Sequence, residues 1–185
     1  MSDIASKWNS RYAFSGEPVP APADVLSRGA KWLPDTPSSL SALDLACGRA
    51  GNGQWLAARG FSVSAWDISD TVIDDIRKRR PALIADASVR DVSTHPPSPE
   101  SFDVIVVSRF LDRDLCVAIS HALKTGGTLF YQTFTHGLSN PDYLLQPNEL
   151  LSLFEELLVL EYHEPAVDTN GKAEARLIAR KQKSL

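Results

Sequence analysis

Apolar residues along this chain fall into short runs, and the stretches between them repeat at helical spacing. "LSALDLAC" (40–47) reads as a strand buried on both faces. "NGQWLAARG" (52–60) then predicts a helix ending at Gly60. "FSVSAWDIS" (61–69) is the next strand, and Ser69 is placed to cap a helix over "DTVIDDIRKRR" (70–80) that Pro81 ends. A weaker strand lies within "LIADASVRDV" (83–92), and "FDVIVVSRF" (102–110) has the clearest buried-strand pattern. Asp112 can cap a following helix whose Leu115, Ile119 and Ala122 share a face, with Gly126 and Gly127 as its stop. "GTLFYQTFT" (127–135) is a fifth strand, and "PNELLSLFEEL" (147–157) is a helix with Leu150, Leu153, Phe154 and Leu157 inward. "LLVLEYHE" (157–164) and "EARLIARK" (174–181) complete the set, joined by a turn at "DTNG" (168–171).

Strand–helix alternation predicts an α/β fold with a mostly parallel sheet covered on both faces. The last two strands lie too close for a crossover helix, so they are expected to pair as a hairpin that closes the sheet with an antiparallel strand. Residues 1–38 precede the first strand and predict a helical extension able to lie across the mouth of the site. The 185 residues predict one domain.

Composition narrows the function class. A net charge of −4 argues against binding held mainly by nucleic-acid phosphates. "MSDIASKWNSRYAF" has no apolar signal core, and no run is long enough to span a bilayer, so a cytoplasmic protein is expected. Cys47 and Cys116 fit no disulfide framework or metal pattern, and no metal is expected.

In an open parallel sheet, ligands sit beyond the carboxyl ends of the strands. The loop "CGRAGNG" (47–53) brings Gly48, Gly51 and Gly53 there. Asp44 precedes it, Asp67 ends the second strand and Asp91 follows the third. An acid ahead of a glycine turn repels a pyrophosphate but favours an ammonium group. Asp67 can accept two ribose hydroxyls, and Asp91 an adenine amino group. Each acid has a plainer reading as a helix cap or loop carboxylate. Two rival classes stay open: a nucleotide-dependent oxidoreductase, and a binding or regulatory protein that keeps the fold without transfer activity. Titration with S-adenosylmethionine against NAD separates the first, and turnover on a thiol and selenite panel the second.

The chain resembles class I S-adenosylmethionine-dependent methyltransferases, in the branch of tellurite-resistance and thiopurine methyltransferases. The resemblance rests on "KWNSRYA", "LDLACGRAGNG", "AWDIS", "RDV", "SFDVIVVSRFL", "ALKTGGTLFYQTF" and the final hairpin. The family pattern D-x-G-x-G-x-G is met at Asp44 and Gly48, with Ala46 and Ala50 where its first and third glycines stand; "KTGG" replaces the usual "KPGG". The resemblance implies a Rossmann-like doubly wound, mostly parallel seven-stranded sheet, S-adenosylmethionine as cofactor and S-adenosylhomocysteine as product. It places Asp44 near the methionine amine, Gly48 under the methionine portion, Asp67 on the ribose, and Asp91 and Val92 beside the adenine, with Ala46, Gly53 and Ile68 also cofactor-binding. Ser108 and Arg109 fall at the boundary with the acceptor. Trp8, Arg11 and Tyr12 belong to an N-terminal lid, or to an ordinary amphipathic helix docked on the domain. Arg109, Asp112, Tyr131 and His136 are candidates for the acceptor side, with Arg109 and His136 as the catalytic pair. The expected partner is a small-molecule methyl acceptor, for a monomer or weak dimer.

Overall fold

The computed structural model describes residues 3–13, 18–35, 38–79, 84, 86–166 and 171–183. Seven strands form one sheet: β1 (Ser41–Leu45), β2 (Ser62–Asp67), β3 (Asp86–Val89), β4 (Phe102–Ser108), β5 (Leu123–His136), β6 (Leu158–His163) and β7 (Ala173–Arg180). Their order is β3-β2-β1-β4-β5-β7-β6. The first five are parallel, and β7 runs antiparallel to both β5 and β6. This is the expected hairpin, with β7 inserted between β5 and β6.

The helices are α1 (Asp3–Tyr12), α2 (Asp24–Arg28), α3 (Gly51–Ala57), α4 (Asp70–Arg79), α5 (Cys116–Ala122) and α6 (Glu149–Leu153). One face of the sheet packs Val25 and Leu26 of α2, Leu56 of α3 and Ile73 and Ile76 of α4 against Val63, Val104 and Phe130. The opposite face packs Ile119 of α5 and Leu150 of α6, with Phe154 beyond it, against Ile105, Leu129 and Leu177. Residues 104–107 of β4 are buried on both faces, which is why that run reads as continuous apolar sequence.

Below the sheet, at the amino ends of the parallel strands, Lys124 donates to Asp103 (2.8 Å) and to Ser41 Oγ (3.1 Å). Asp103 also accepts the Ser41 N–H (2.8 Å). The lysine of "KTGG" therefore ties β1, β4 and β5 together, far from the ligand end.

Two local expectations shift. The helix before β5 ends at Ala122, because Leu123 is already extended (ψ 135°) and pairs with Phe102; Gly126 and Gly127 lie within β5. The last helix spans five residues, since Phe154 leaves helical geometry (φ −123°, ψ 33°). Leu150, Phe154 and Leu157 are nonetheless buried, and Leu153 packs partly against the same core. Ser69 accepts the Val72 N–H (3.3 Å) as a cap. The stop at Pro81 and turn residues 168–170 lie outside the described residues.

Candidate cofactor and acceptor site

The loop after β1 is built from residues in left-handed backbone. Ala46, Gly48 and Ala50 have φ of 53°, 51° and 55°. The two alanines thus occupy the conformation that favours glycine, at a cost of about 1–2 kcal/mol each. Ala50 offsets part of this by burying its methyl completely. Cys47 donates its N–H to Trp66 O (2.9 Å), and Ala50 donates back to Cys47 O (2.9 Å), which closes the turn. Cys47 is a buried free thiol, its acidity pushed well down by burial.

Asp67 holds this loop from the neighbouring strand. One oxygen accepts the Gly48 N–H (2.8 Å) and the other the Ser69 N–H (2.9 Å). Burial raises its carboxyl above the ordinary range against these donors. A carboxylate has about four lone-pair sites, so two remain for hydroxyl donors.

Asp44 is deeper, 1% exposed. It accepts the Gly53 N–H (2.8 Å) and, at 3.3 Å, the Asn52 amide. Burial pushes its carboxyl up to about 7, with the Gly53 and Asn52 donors opposing and the Asp67 charge adding.

The third acid sits nearby. Arg90 donates its N–H to Asp67 O (2.8 Å), which carries the segment after β3 up to the loop. Asp91 is half-buried and accepts the Ser93 N–H (3.1 Å); Val92 is buried. Ser93 also donates to Asp112 (2.8 Å), whose other oxygen accepts the Leu115 N–H (3.3 Å), so Asp112 caps the turn that leads into α5.

The N-terminal helix lies over the loop. A Cβ on Gly48 would come within 2.8 Å of the Tyr12 hydroxyl. Burial and the Asp67 charge make that phenol harder to ionise. Trp8 stacks on Tyr12 (centroids 6.0 Å apart), Arg11 lies 5.6 Å from the Trp8 ring and Arg49 lies 5.7 Å from the Tyr12 ring. Asn9 accepts the Ser69 hydroxyl (2.6 Å), fastening α1 beside Ile68 and Asp67.

At the end of β4, Ser108 Oγ accepts from the Asn52 amide (3.1 Å). Arg109 turns out of the sheet with φ 57° and pairs with Glu174 of β7 (2.8 Å). Its guanidinium lies 5.9 Å from the Phe134 ring. Tyr131 is turned into the opposite core, donating to Phe110 O (2.9 Å). His136 is exposed at the far end of β5, four residues past Gln132, the partner of Ser108. At about 3.3 Å per residue, that is about 13 Å beyond the end of β4.

The structure thus gathers Tyr12, Asp44, Ala46, Gly48, Gly53, Asp67 and Asp91 around one loop, with Ser108 and Arg109 at its edge. It does not bring His136 or Tyr131 there. Asn52, Gln132 and Glu174 escaped the sequence reading. Asn52 stood inside the glycine loop, but only the folded chain shows its amide shared among three segments. A cleft of about 230 Å³ opens elsewhere, between α2 and the outer ends of β6 and β7. Its Asp24 is already shared by Arg28 (3.2 Å) and Arg176 (3.3 Å).

Two buried carboxylates around a close-approach backbone suit a ligand with an ammonium and a vicinal diol, and repel a pyrophosphate. Among the described residues, no group of three His, Cys, Asp or Glu could hold a metal ion, and no helix is long and apolar enough to cross a membrane.

Residues 42–127 match the family model described as a methyltransferase domain. TehB from Haemophilus influenzae is similar in structure, with a TM-score of 0.71 and 22% identity over 96% of this chain and 67% of that one. A S-adenosylmethionine-dependent methyltransferase from Methanosarcina mazei gives 0.69 and 18%, over 89% of this chain and 100% of that one. A geranyl diphosphate C-methyltransferase from Streptomyces coelicolor gives 0.69 and 16%, over 97% and 96%. No curated protein matches the chain. The strand order, with its antiparallel β7, is that of the class I methyltransferase fold, and residues 42–127, from β1 into β5, form a methyltransferase domain within it.

Proposed function

We propose that the enzyme methylates a small, soft nucleophile: a thiol, a selenium or tellurium oxyanion, or a heterocycle. The observation that carries this reading is the acceptor end of β4. Arg109 and Phe134 present a cation and a ring there, while His136 is exposed and distant and Tyr131 faces away. A soft anion attacks without a base, whereas a phenol or ammonium must first lose a proton. The resemblance to tellurite-resistance and thiopurine methyltransferases supports the same class. When bound, S-adenosylmethionine supplies a methyl group already activated on a sulfonium. In this reading Asp44 holds the ammonium, Asp67 the ribose hydroxyls, and Asp91 with Val92 the adenine edge. Ser108 and Arg109 orient the acceptor, and α1 excludes water. The enzyme acts as a single domain, a monomer or weak dimer, in the reducing cytoplasm, where Cys47 and Cys116 stay thiols.

The test is S-adenosylhomocysteine production against a panel of thiols, selenite, tellurite, thiopurine-type heterocycles, phenols and amines. Turnover is expected in the soft-nucleophile arms. Turnover confined to phenols or amines would overturn the assignment.

Within residues 1–38, α1 is the lid in this proposal, supported by Tyr12 lying over Gly48. Deleting residues 1–15 is expected to weaken S-adenosylhomocysteine binding about tenfold, or about 1.4 kcal/mol, with the circular dichroism of the sheet unchanged. Equal affinity in the truncated and full chains would reduce α1 to packing.

A further inference from the structure

We infer that Asn52 is a positioning residue, which orients the Asp44 carboxylate toward the cofactor's ammonium group and joins it to the N-terminal segment and the acceptor boundary. This rests on the reading of Asp44 given above. Asn52 is 5% exposed, and its three hydrogen bonds reach three separate parts of the chain. Its carbonyl oxygen accepts the Ala23 N–H (2.8 Å). Its amide nitrogen donates to Asp44 (3.3 Å) and to Ser108 Oγ (3.1 Å).

The bond from Ala23 decides the rest. A backbone N–H can only donate, so it fixes the amide with its oxygen toward Ala23 and its nitrogen toward Asp44. The opposite flip would set a carbonyl oxygen against a buried carboxylate. The N-terminal segment is itself pressed onto this corner, since a Cβ on Gly51 would meet Pro20 O at 2.4 Å. With Gly53 N–H on one carboxylate oxygen and Asn52 on the other, the charged form of Asp44 keeps two donors. Asp67 of β2 and the Cys47 thiol are the titratable groups that act on it, and neither favours its charge. Asn52 therefore sustains the carboxylate that an ammonium needs.

The experiment compares two ligands in wild type and Asn52→Ala by titration calorimetry at pH 7. S-adenosylhomocysteine carries the amino-acid end; 5′-methylthioadenosine keeps the nucleoside and thioether without it. Asn52→Ala is expected to lose about 30-fold in affinity for the first and less than threefold for the second. The S-adenosylhomocysteine loss is expected to be larger at pH 6.5 than at pH 8, because without the amide donor Asp44 holds its proton to higher pH. A merely structural role weakens both ligands alike at both pH values, and that result, or no change for either, would overturn the inference. Asn52→Ser, which keeps a short polar group, is measured alongside; the same selectivity supports the inference if the alanine variant does not fold, and equal loss overturns it. Failure of the wild type to bind S-adenosylhomocysteine would instead strike the reading of the site itself.

Discussion

Asp67→Ala is expected to bind S-adenosylhomocysteine about 100-fold more weakly than wild type, with its circular dichroism spectrum intact. Two of the four lone-pair sites of Asp67 hold the Gly48 and Ser69 N–H groups, and the proposed ribose hydroxyls would take up the remaining capacity. Charge-assisted bonds to a diol contribute roughly 1.5–3 kcal/mol each; about 3 kcal/mol for the pair, after water competes in the variant, gives the 100-fold figure. Asp67→Asn should lose less, because its amide oxygen still accepts. A structural carboxylate would show the opposite pattern, with both variants melting lower when empty and affinity falling only as folded protein is lost. Wild-type affinity in folded Asp67→Ala, read by titration calorimetry, would displace the ribose from β2.

Asp44→Asn is expected to separate binding from stability. Affinity for S-adenosylhomocysteine should fall about 30-fold at pH 8, about 2 kcal/mol, because an amide offers the ammonium no charge. The empty variant should melt no lower than wild type at that pH. The sign follows from the raised carboxyl: the folded state holds the Asp44 proton up to about 7, against an ordinary value of 3.8. The folded state is then the better proton binder, so this group's contribution to stability is lost as pH climbs from about 4 through 7. Asn never incurs that loss. In wild type the ammonium of the ligand offsets the buried charge, so thermal stabilisation by S-adenosylhomocysteine should grow between pH 5.5 and pH 8. Melting curves of both proteins across that range check it; a flat ligand shift in wild type would place the ammonium elsewhere.

What the sequence disclosed follows from where information is local. The strands were legible because parallel strands buried on both faces must be apolar nearly throughout, as residues 104–107 are. The glycine loop was legible because its backbone demands residues of minimal size. The two alanines that depart from the family pattern have left-handed φ, the conformation glycine adopts most readily, so methyl groups sit in a backbone that favours glycine. The obscure parts depend on distant partners. The end of α5 is set by Leu123 pairing with Phe102 rather than by the glycines after it. The tethers of Arg109 to Glu174 and of Asn52 to Ala23 span 65 and 29 residues, and no local pattern encodes them. Tyr131 looked like an acceptor-side residue only because alternation along a strand does not say which face holds the site.

In the proposed lid role of α1, Tyr12 resting on Gly48 would make cofactor exchange a gated process. The Asn9–Ser69 bond and the Arg49–Tyr12 contact hold α1 over the loop. Entry and departure would then both wait for α1 to lift, and the residence time of spent cofactor would be set by a helix undocking and not by its own contacts alone. An acceptor held at the Arg109 edge, as proposed, could leave after methylation while the nucleoside product was still enclosed. Release of S-adenosylhomocysteine would then be the slow step of the cycle, and loosening α1 would trade retention for faster turnover.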